Sequence, residues 1–80
     1  MQVLYSNRAA RAISRMDTTI KNRIRQGIRN IPQGDIVPFK GAPGTYRLRI
    51  GDWRVLFSYQ DKDTILVEDI GPRGQIYKGV

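Results

Sequence analysis

Apolar residues recur every three or four positions over the first third of the chain, which is the period of an amphipathic α-helix. Ser6 is a candidate N-cap for a first helix, and Asp17 or Thr18 can cap a second. Pro32 ends the second pattern because proline cannot continue a helix. The apolar stripes consist of Ala9, Ala12, Ile13 and Met16, followed by Ile20, Ile24, Ile28 and Ile31. The sequence therefore predicts two helices joined tightly into an antiparallel hairpin.

The pattern changes to alternation of apolar and polar residues over the segments 46–50, 53–59 and 64–70, which indicates β-strands. A short apolar segment, 1–5, precedes the helices. Segment 33–44 is rich in glycine and proline and suits a loop with at most a short extended piece. The predicted order is β-α-α-β-β-β, an α+β fold in which the helix hairpin packs on a mainly antiparallel sheet. Residues 1–80 are expected to form a single domain.

The dipeptide Gly51-Asp52 between two alternating segments indicates a two-residue hairpin loop with glycine in the first position. This loop predicts a register in which Arg49 faces Arg54, with Arg47 on the same side of the sheet. The opposite side carries the apolar residues Tyr46, Leu48, Ile50, Trp53, Val55 and Phe57. One face of the sheet is therefore expected to cover the helices, and the other to be basic.

We call Arg47, Arg49 and Arg54 the arginine patch. Like charges directly opposite each other destabilise a sheet, and folding does not require arginine where serine or threonine would serve. Planar guanidinium groups match the geometry of phosphate, which favours a functional patch. The alternative is that the arginines only solvate an exposed face. Since a functional patch is not part of the core, replacement of Arg54 is expected to change thermal stability little.

The last alternating segment returns beside the previous one, which brings residues 71–74 towards the arginine patch. Arg73 and with it Tyr77 are expected to join the patch, although a turn arginine and a packed tyrosine ring are equally simple interpretations. Either Glu68 or Asp69 is expected to point to the same face, depending on the length of the preceding loop. That carboxylate is a candidate general base or a salt-bridge partner.

The 80 residues contain 14 Lys+Arg and 7 Asp+Glu, which gives a net charge of +7 and a pI near 10.4. Such a charge predicts a polyanionic partner, with nucleic acid ahead of a membrane surface or an acidic protein. Residues 8–29 hold seven cations and one anion. Six of these cations form two helix stripes, Arg8, Arg11 and Arg15, then Lys21, Arg25 and Arg29. We expect the stripes to dock on structured RNA such as ribosomal RNA, the alternative being solvated helix faces.

The sequence contains neither cysteine nor histidine. A disulfide framework and nucleophilic catalysis through cysteine or histidine are therefore excluded, and a zinc site is not expected. No metal or other cofactor is predicted. No segment approaches the length of an apolar membrane span, and the N-terminal residues do not resemble a secretory signal, so a cytoplasmic protein without a membrane partner is expected.

The segments 46–50, 53–59 and 69–77 resemble the RelE/ParE superfamily of toxins, and the resemblance extends over most of the chain. It implies a RelE-like fold and the activity of an mRNA interferase, a ribosome-dependent endoribonuclease of a type II toxin-antitoxin system that inhibits translation. In that activity the 2'-hydroxyl of the message attacks the adjacent phosphodiester without a metal. The implied partners are messenger RNA, the ribosome and a cognate antitoxin protein.

RelE-like toxins are similar in placing basic residues at the positions of the arginine patch, and the resemblance implies that Arg73 and Tyr77 complete a catalytic set of five. Two positions that are usually lysine in the family are arginine here, and arginine keeps its proton at neutral pH. By resemblance, Tyr77 takes the proton of the attacking hydroxyl, and Arg73 donates a proton to the leaving oxygen or stabilises it.

Two other functions remain open at the level of sequence. A ParE-like inhibitor of DNA gyrase has the same fold but generally lacks the catalytic set. A non-catalytic RNA-binding module would use the arginine patch to bind phosphates without cleaving the chain. Products that carry a cyclic phosphate or a 3'-phosphate distinguish the nuclease from both alternatives.

Overall fold

A computed structural model describes residues 1–72 of the chain. In chain order its elements are β1 (Gln2–Tyr5), α1 (Asn7–Ser14), α2 (Thr18–Arg29), β2 (Asp35–Pro38), β3 (Thr45–Ile50), β4 (Trp53–Asp61) and β5 (Thr64–Pro72). The α+β class predicted from the sequence is confirmed. The element order contains one strand more than predicted, because β2 forms where a loop with at most a short extended piece was expected.

The strands form one mixed sheet in the order β1-β5-β4-β3-β2. The pair β1–β5 is parallel, and the pairs β2–β3, β3–β4 and β4–β5 are antiparallel. The sheet is thus mainly antiparallel, as predicted. The two helices carry the chain from β1 to β2 at the opposite edge of the sheet. The antiparallel strands β2, β3, β4 and β5 then return the chain step by step until β5 pairs with β1.

Each helix begins at a side chain that caps it. The Ser6 hydroxyl accepts a hydrogen bond from the backbone N–H of Ala9 at 3.0 Å and donates one to the carbonyl of Glu68 at 2.7 Å. Asp17, and not Thr18, caps the second helix by accepting from the N–H of Ile20 at 2.9 Å. Both caps satisfy N–H groups that have no partner within the helix.

The helices end earlier than the apolar stripes do. Residues Met16 and Ile31 lie just beyond α1 and α2, although Ile31 is buried and Met16 packs against the core. The extended backbone of Asp17 ends the first helix before the second begins. Asn30 is the C-cap of α2 and precedes Pro32 by two residues, in agreement with the predicted stop.

The helices cover one face of the sheet, and the predicted core face is confirmed. Helix α1 packs mainly on β5, and α2 packs on β3. The buried cluster consists of Ala9, Ile13, Ile24, Ile28, Ile31, Leu48, Val55, Phe57, Ile65, Val67 and Ile70, with Tyr46, Ile50 and Trp53 packed against it. Full burial of one large side chain in such a cluster contributes roughly 1.5–3 kcal/mol. The opposite face of the sheet is therefore free of the helices.

The β3–β4 hairpin has the register predicted from its loop. Arg49 pairs with Arg54, and Arg47 pairs with Leu56. Gly51 begins the turn with a φ of 59°, a left-handed conformation that glycine adopts without steric cost. The turn residue type and the strand alternation therefore specify the same pairing.

A β-bulge interrupts the β4–β5 pair. Leu56 pairs with Asp69 and Phe57 pairs with Val67, so that Glu68 has no partner in the register. A bulge increases the local twist and redirects the side chains at that point. Its position decides which of the two neighbouring carboxylates reaches the basic face of the sheet.

Candidate functional site

The arginine patch lies on the sheet face opposite the helices. Arg47 and Arg49 alternate with the buried Leu48 on β3, and Arg54 lies directly across from Arg49 on β4. The prediction that the three arginines share one face is confirmed. Their contacts within the patch differ from one arginine to the next.

Arg54 is buried, with only 7% of its surface exposed. Its Nη1 donates hydrogen bonds to the carbonyl oxygens of Gly51 at 3.0 Å and Trp53 at 3.1 Å. The sequence led us to expect that Arg54 can be replaced with little effect on stability. The structure favours a larger effect, because the guanidinium group folds back onto the turn and binds its backbone. Carbonyl groups orient the guanidinium group but do not neutralise its charge.

Arg47 and Arg49 share one carboxylate, that of Asp35 on β2. Asp35 Oδ2 lies 2.8 Å from Arg49 Nε, and Asp35 Oδ1 lies 3.4 Å from Arg47 Nη2. Asp35 is directly opposite Arg49 in the β2–β3 register. Sequence reasoning missed this residue because four residues of strand beside glycines and prolines do not show a clear alternation. The signal that the sequence did offer was the pair Ile36-Val37, two β-branched residues of the kind that favours strands.

Arg47 also carries an unsatisfied donor. Its side chain is only 16% exposed, and its Nε is buried without a hydrogen-bond partner among residues 1–72. Leu56, directly opposite, is buried as well. A buried N–H without an acceptor is costly, so Arg47 Nε does not contribute to stability.

Glu68 is the carboxylate that reaches the face of the arginine patch. Its Oε2 lies 3.4 Å from the hydroxyl of Thr45, which is two residues before Arg47 on the same side of β3. Asp69 interacts instead with α1, where its Oδ2 lies 3.6 Å from Arg8 Nη1, and its Oδ1 accepts from the N–H of Ile70. The sequence left this choice open, and the bulge resolves it.

The end of β5 runs beside the patch, as predicted from the strand order. Gly71 pairs with Arg54, and Pro72 pairs with Trp53. The other two members of the proposed catalytic set, Arg73 and Tyr77, lie outside the described residues.

Comparisons with known proteins identify the family. A family model described as the ParE toxin of type II toxin-antitoxin system, parDE, matches residues 3–77. The chain belongs to the RelE/ParE superfamily of type II toxins. No curated protein matches the toxin.

Several solved structures that contain RelE proteins are similar to the toxin. The RelB–RelE antitoxin–toxin complex from Methanococcus jannaschii matches with a TM-score of 0.73 and 24% identity, over 92% of this chain and 94% of that chain. The archaeal RelE–RelB complex from Pyrococcus horikoshii matches with a TM-score of 0.70 and 25% identity, over 92% of this chain and 96% of that chain. The isolated RelE toxin of E. coli matches with a TM-score of 0.73 and 14% identity, over 98% and 92%. The toxin therefore has a RelE-like fold.

The helix stripes of the toxin lie on the other side of the sheet from the arginine patch. The first stripe, Arg8, Arg11 and Arg15, lines a cleft of about 500 Å³ together with Asp69. In the second stripe, Arg25 and Arg29 are exposed, and Lys21 is partly buried. The toxin therefore presents two separate basic surfaces.

Within residues 1–72 of the toxin, no three side chains of His, Cys, Asp and Glu come together as metal ligands. The arrangement on the basic face offers electrostatic stabilisation by guanidinium groups and one carboxylate for proton transfer. In the same part of the chain, neither helix has the length and apolar character needed to span a membrane.

Proposed function

We propose that this toxin is an mRNA interferase, a metal-independent endoribonuclease that cuts messenger RNA on the ribosome and inhibits translation. The superfamily includes ribonucleases. The observation that carries the proposal is the position of Arg47, Arg49 and Arg54 on one sheet face. The end of β5, which Arg73 follows in the sequence, pairs with β4 at Arg54. Three guanidinium groups at fixed positions match the charge that develops on a phosphate under attack.

In the proposed reaction the 2'-oxygen of the message bonds to the adjacent phosphorus, and the bond from phosphorus to the 5'-oxygen breaks. The products are a 2',3'-cyclic phosphate and a 5'-hydroxyl. The patch stabilises the additional negative charge of the pentacoordinate intermediate. Arg54 is best suited to this role because its orienting partners are neutral carbonyl groups. Arg47 supports it with the positive charge of its guanidinium group, which lies on the same sheet face.

The reaction also requires one proton to leave the 2'-hydroxyl and one to reach the 5'-oxygen. Glu68 is a candidate for the first transfer, since its carboxylate lies on the patch face near Thr45. Tyr77 is the other candidate for this transfer, and Arg73 for the second, both by resemblance to the family. If Arg73 and Tyr77 make the two transfers, we expect slow cleavage of free RNA and fast cleavage on the ribosome, because arginine and tyrosine exchange protons poorly at neutral pH.

We further propose two kinds of partner. Relatives from Methanococcus jannaschii, Pyrococcus horikoshii and E. coli were crystallised as complexes of RelE with the antitoxin RelB. A cognate antitoxin with acidic residues that cover the arginine patch would neutralise this toxin. The helix stripes are proposed to bind ribosomal RNA, because they lie on the other side of the sheet and their docking would not compete with the patch for the message.

A primer-extension assay on a defined message bound to ribosomes tests the proposed function. We expect new 3' ends that carry a cyclic phosphate or a 3'-phosphate, in the presence of a chelator. Cleavage must disappear when the antitoxin is added. Binding of the message without new ends would support the non-catalytic RNA-binding alternative.

A ParE-like inhibitor of DNA gyrase is the second candidate, because the matching family model is that of ParE. A supercoiling assay with purified gyrase distinguishes the two functions. The nuclease proposal predicts no inhibition of supercoiling at toxin concentrations that cleave all ribosome-bound message. Inhibition of gyrase without cleavage of RNA would establish the ParE-like function instead.

A further inference from the structure

We propose that Asp35 is a positioning residue, which orients the guanidinium groups of Arg47 and Arg49 for the scissile phosphate. This inference rests on the proposed nuclease function. Asp35 does not itself contact the reacting atoms in this scheme. It acts through the two arginines that its carboxylate holds.

The carboxylate of Asp35 binds a different arginine with each oxygen. Arg49 is held through Nε at 2.8 Å, and Arg47 through Nη2 at 3.4 Å. The two arginines are separated by one residue on β3, so their Cα atoms are about 6.5 Å apart. One carboxylate that spans both side chains thus restrains their orientation relative to each other.

The way in which Arg49 is held leaves its other edge for substrate. A guanidinium group is planar, and its Nε lies on the side away from the edge formed by Nη1 and Nη2. That terminal edge is the fork that binds two oxygens of a phosphate. Because Asp35 binds Nε, it restrains the rotation of the side chain and directs the fork away from β2.

A purely stabilising role does not account for this contact. The side chains of Asp35 and Arg49 are 43% and 54% exposed, and ion pairs with such exposure contribute little to stability. A role in attracting RNA does not account for the contact either, because a carboxylate lowers the positive charge of the patch. The remaining role is to orient the guanidinium groups of Arg47 and Arg49. Loss of this orientation is expected to change the rate of the chemical step more than the affinity for RNA.

Asp35→Asn tests the inference, because it removes the charge and keeps the size of the side chain. Cleavage of ribosome-bound message is measured at several concentrations of substrate, which separates kcat from KM. We expect kcat to fall about 10-fold to 100-fold, which is the effect of small errors in alignment. We expect KM to stay unchanged or to decrease, since the patch becomes more positive.

Asp63→Asn is the matched control. It makes the same change in charge at an exposed residue of the turn between β4 and β5, far from β2 in the sheet order. Its kcat is expected to equal that of the unmodified toxin. Asp35→Glu retains the carboxylate and is expected to recover part of the lost rate. Thermal melting of each variant verifies that the fold is intact.

Three results would overturn the inference. An unchanged kcat would make the contact a solvated ion pair. A higher kcat together with a lower KM would make Asp35 an internal competitor for the phosphate. A loss of rate that follows a loss of melting temperature, without recovery by Asp35→Glu, would reduce Asp35 to a structural link. Arg54→Ala separates these outcomes from failure of the proposed function: if that variant also cleaves normally, the patch is not the nuclease site.

Discussion

The guanidinium group of Arg54 binds the backbone of the β3–β4 turn instead of extending into solvent. Its two acceptors belong to Gly51 and Trp53, at the two sides of the turn. A residue that pairs with Arg49 across the hairpin therefore also links the ends of its own turn. Substitution at this position is expected to affect both folding and catalysis, and the two effects can be measured separately.

We predict that Arg54→Ala lowers ribosome-dependent cleavage by at least about 100-fold, because the charge that it stabilises is largest in the transition state. The same variant is expected to lose about 1–3 kcal/mol of stability with its two hydrogen bonds. Denaturant unfolding and primer extension measure the two losses. Arg54→Lys is the control: it keeps the charge but not the planar fork, so partial activity is expected. Wild-type cleavage by Arg54→Ala would contradict the proposed role of the patch.

Two adjacent carboxylates on β5 provide a second test at the scale of residues. If Glu68 removes the proton of the 2'-hydroxyl, Glu68→Gln should lower the cleavage rate by about 100-fold or more. Asp69→Asn, which changes the neighbouring residue in the same way, should cleave nearly as fast as the unmodified toxin. If both variants cleave as fast as the unmodified toxin, the role of base passes to Tyr77. In that case Tyr77→Phe should lower the cleavage rate.

At the scale of elements, the bulge on β5 connects the start of α1 to the site. Ser6 caps α1 and also donates to the carbonyl of Glu68, the residue at the bulge. The N–H of Ser6 donates to the carbonyl of Val67 at 2.9 Å, which extends the parallel pairing of β1 and β5. The connection between β1 and α1 is therefore tied to the strand that carries the candidate base.

We predict that Ser6→Ala lowers the free energy of unfolding by about 1–3 kcal/mol, since it removes an N-cap and a second hydrogen bond. Asp17→Ala removes only the cap of α2 and is expected to cost about 1 kcal/mol. Urea unfolding of both variants gives the comparison. A smaller loss for Ser6→Ala than for Asp17→Ala would show that the hydrogen bond to Glu68 does not contribute.

At the scale of the whole molecule, the toxin has two basic surfaces on opposite sides of one sheet. The arginine patch lies on the face away from the helices, and the helix stripes lie on the helices that cover the other face. The net charge of +7 is therefore divided between a surface proposed for chemistry and a surface proposed for docking. The two proposed roles can be separated by charge reversal on one side only.

We predict that Arg11→Glu combined with Arg25→Glu weakens ribosome binding and reduces its dependence on salt. The reason is that binding releases fewer counterions from the RNA when the protein contacts fewer phosphates. Lys62→Glu is the control and is compared with Arg11→Glu alone, because it reverses one charge in the turn between β4 and β5, away from the helices and the arginine patch. This control should keep most of the salt dependence. Equal effects of the two single variants, or unchanged binding in both, would reduce the stripes to solvated helix faces.

The patch was predictable from the sequence because its arginines follow the strand alternation on either side of a glycine turn. Leu48 and Val55 show why the prediction succeeded. Both are buried, and the arginine next to each of them in the strand must therefore lie on the opposite face of the sheet. Asp35 was not predictable, because its strand is four residues long and forms at the edge of the sheet by pairing with β3. The hydrogen bonds of Arg54 to its own turn were missed as well, since alternation predicts a face and not a side-chain conformation.

By itself the sequence determined what depends on neighbouring residues: the helix cap at Ser6, a second cap at Asp17 or Thr18, the register of the β3–β4 hairpin and the face that its arginines occupy. These features arise from local hydrogen bonds, backbone conformation and the period of the apolar residues. Only the tertiary structure decided which carboxylates meet the arginines. Asp35 reaches them through pairing of β2 with β3, and Glu68 through a bulge between β4 and β5. Both depend on strand pairing between distant segments, which no local pattern specifies.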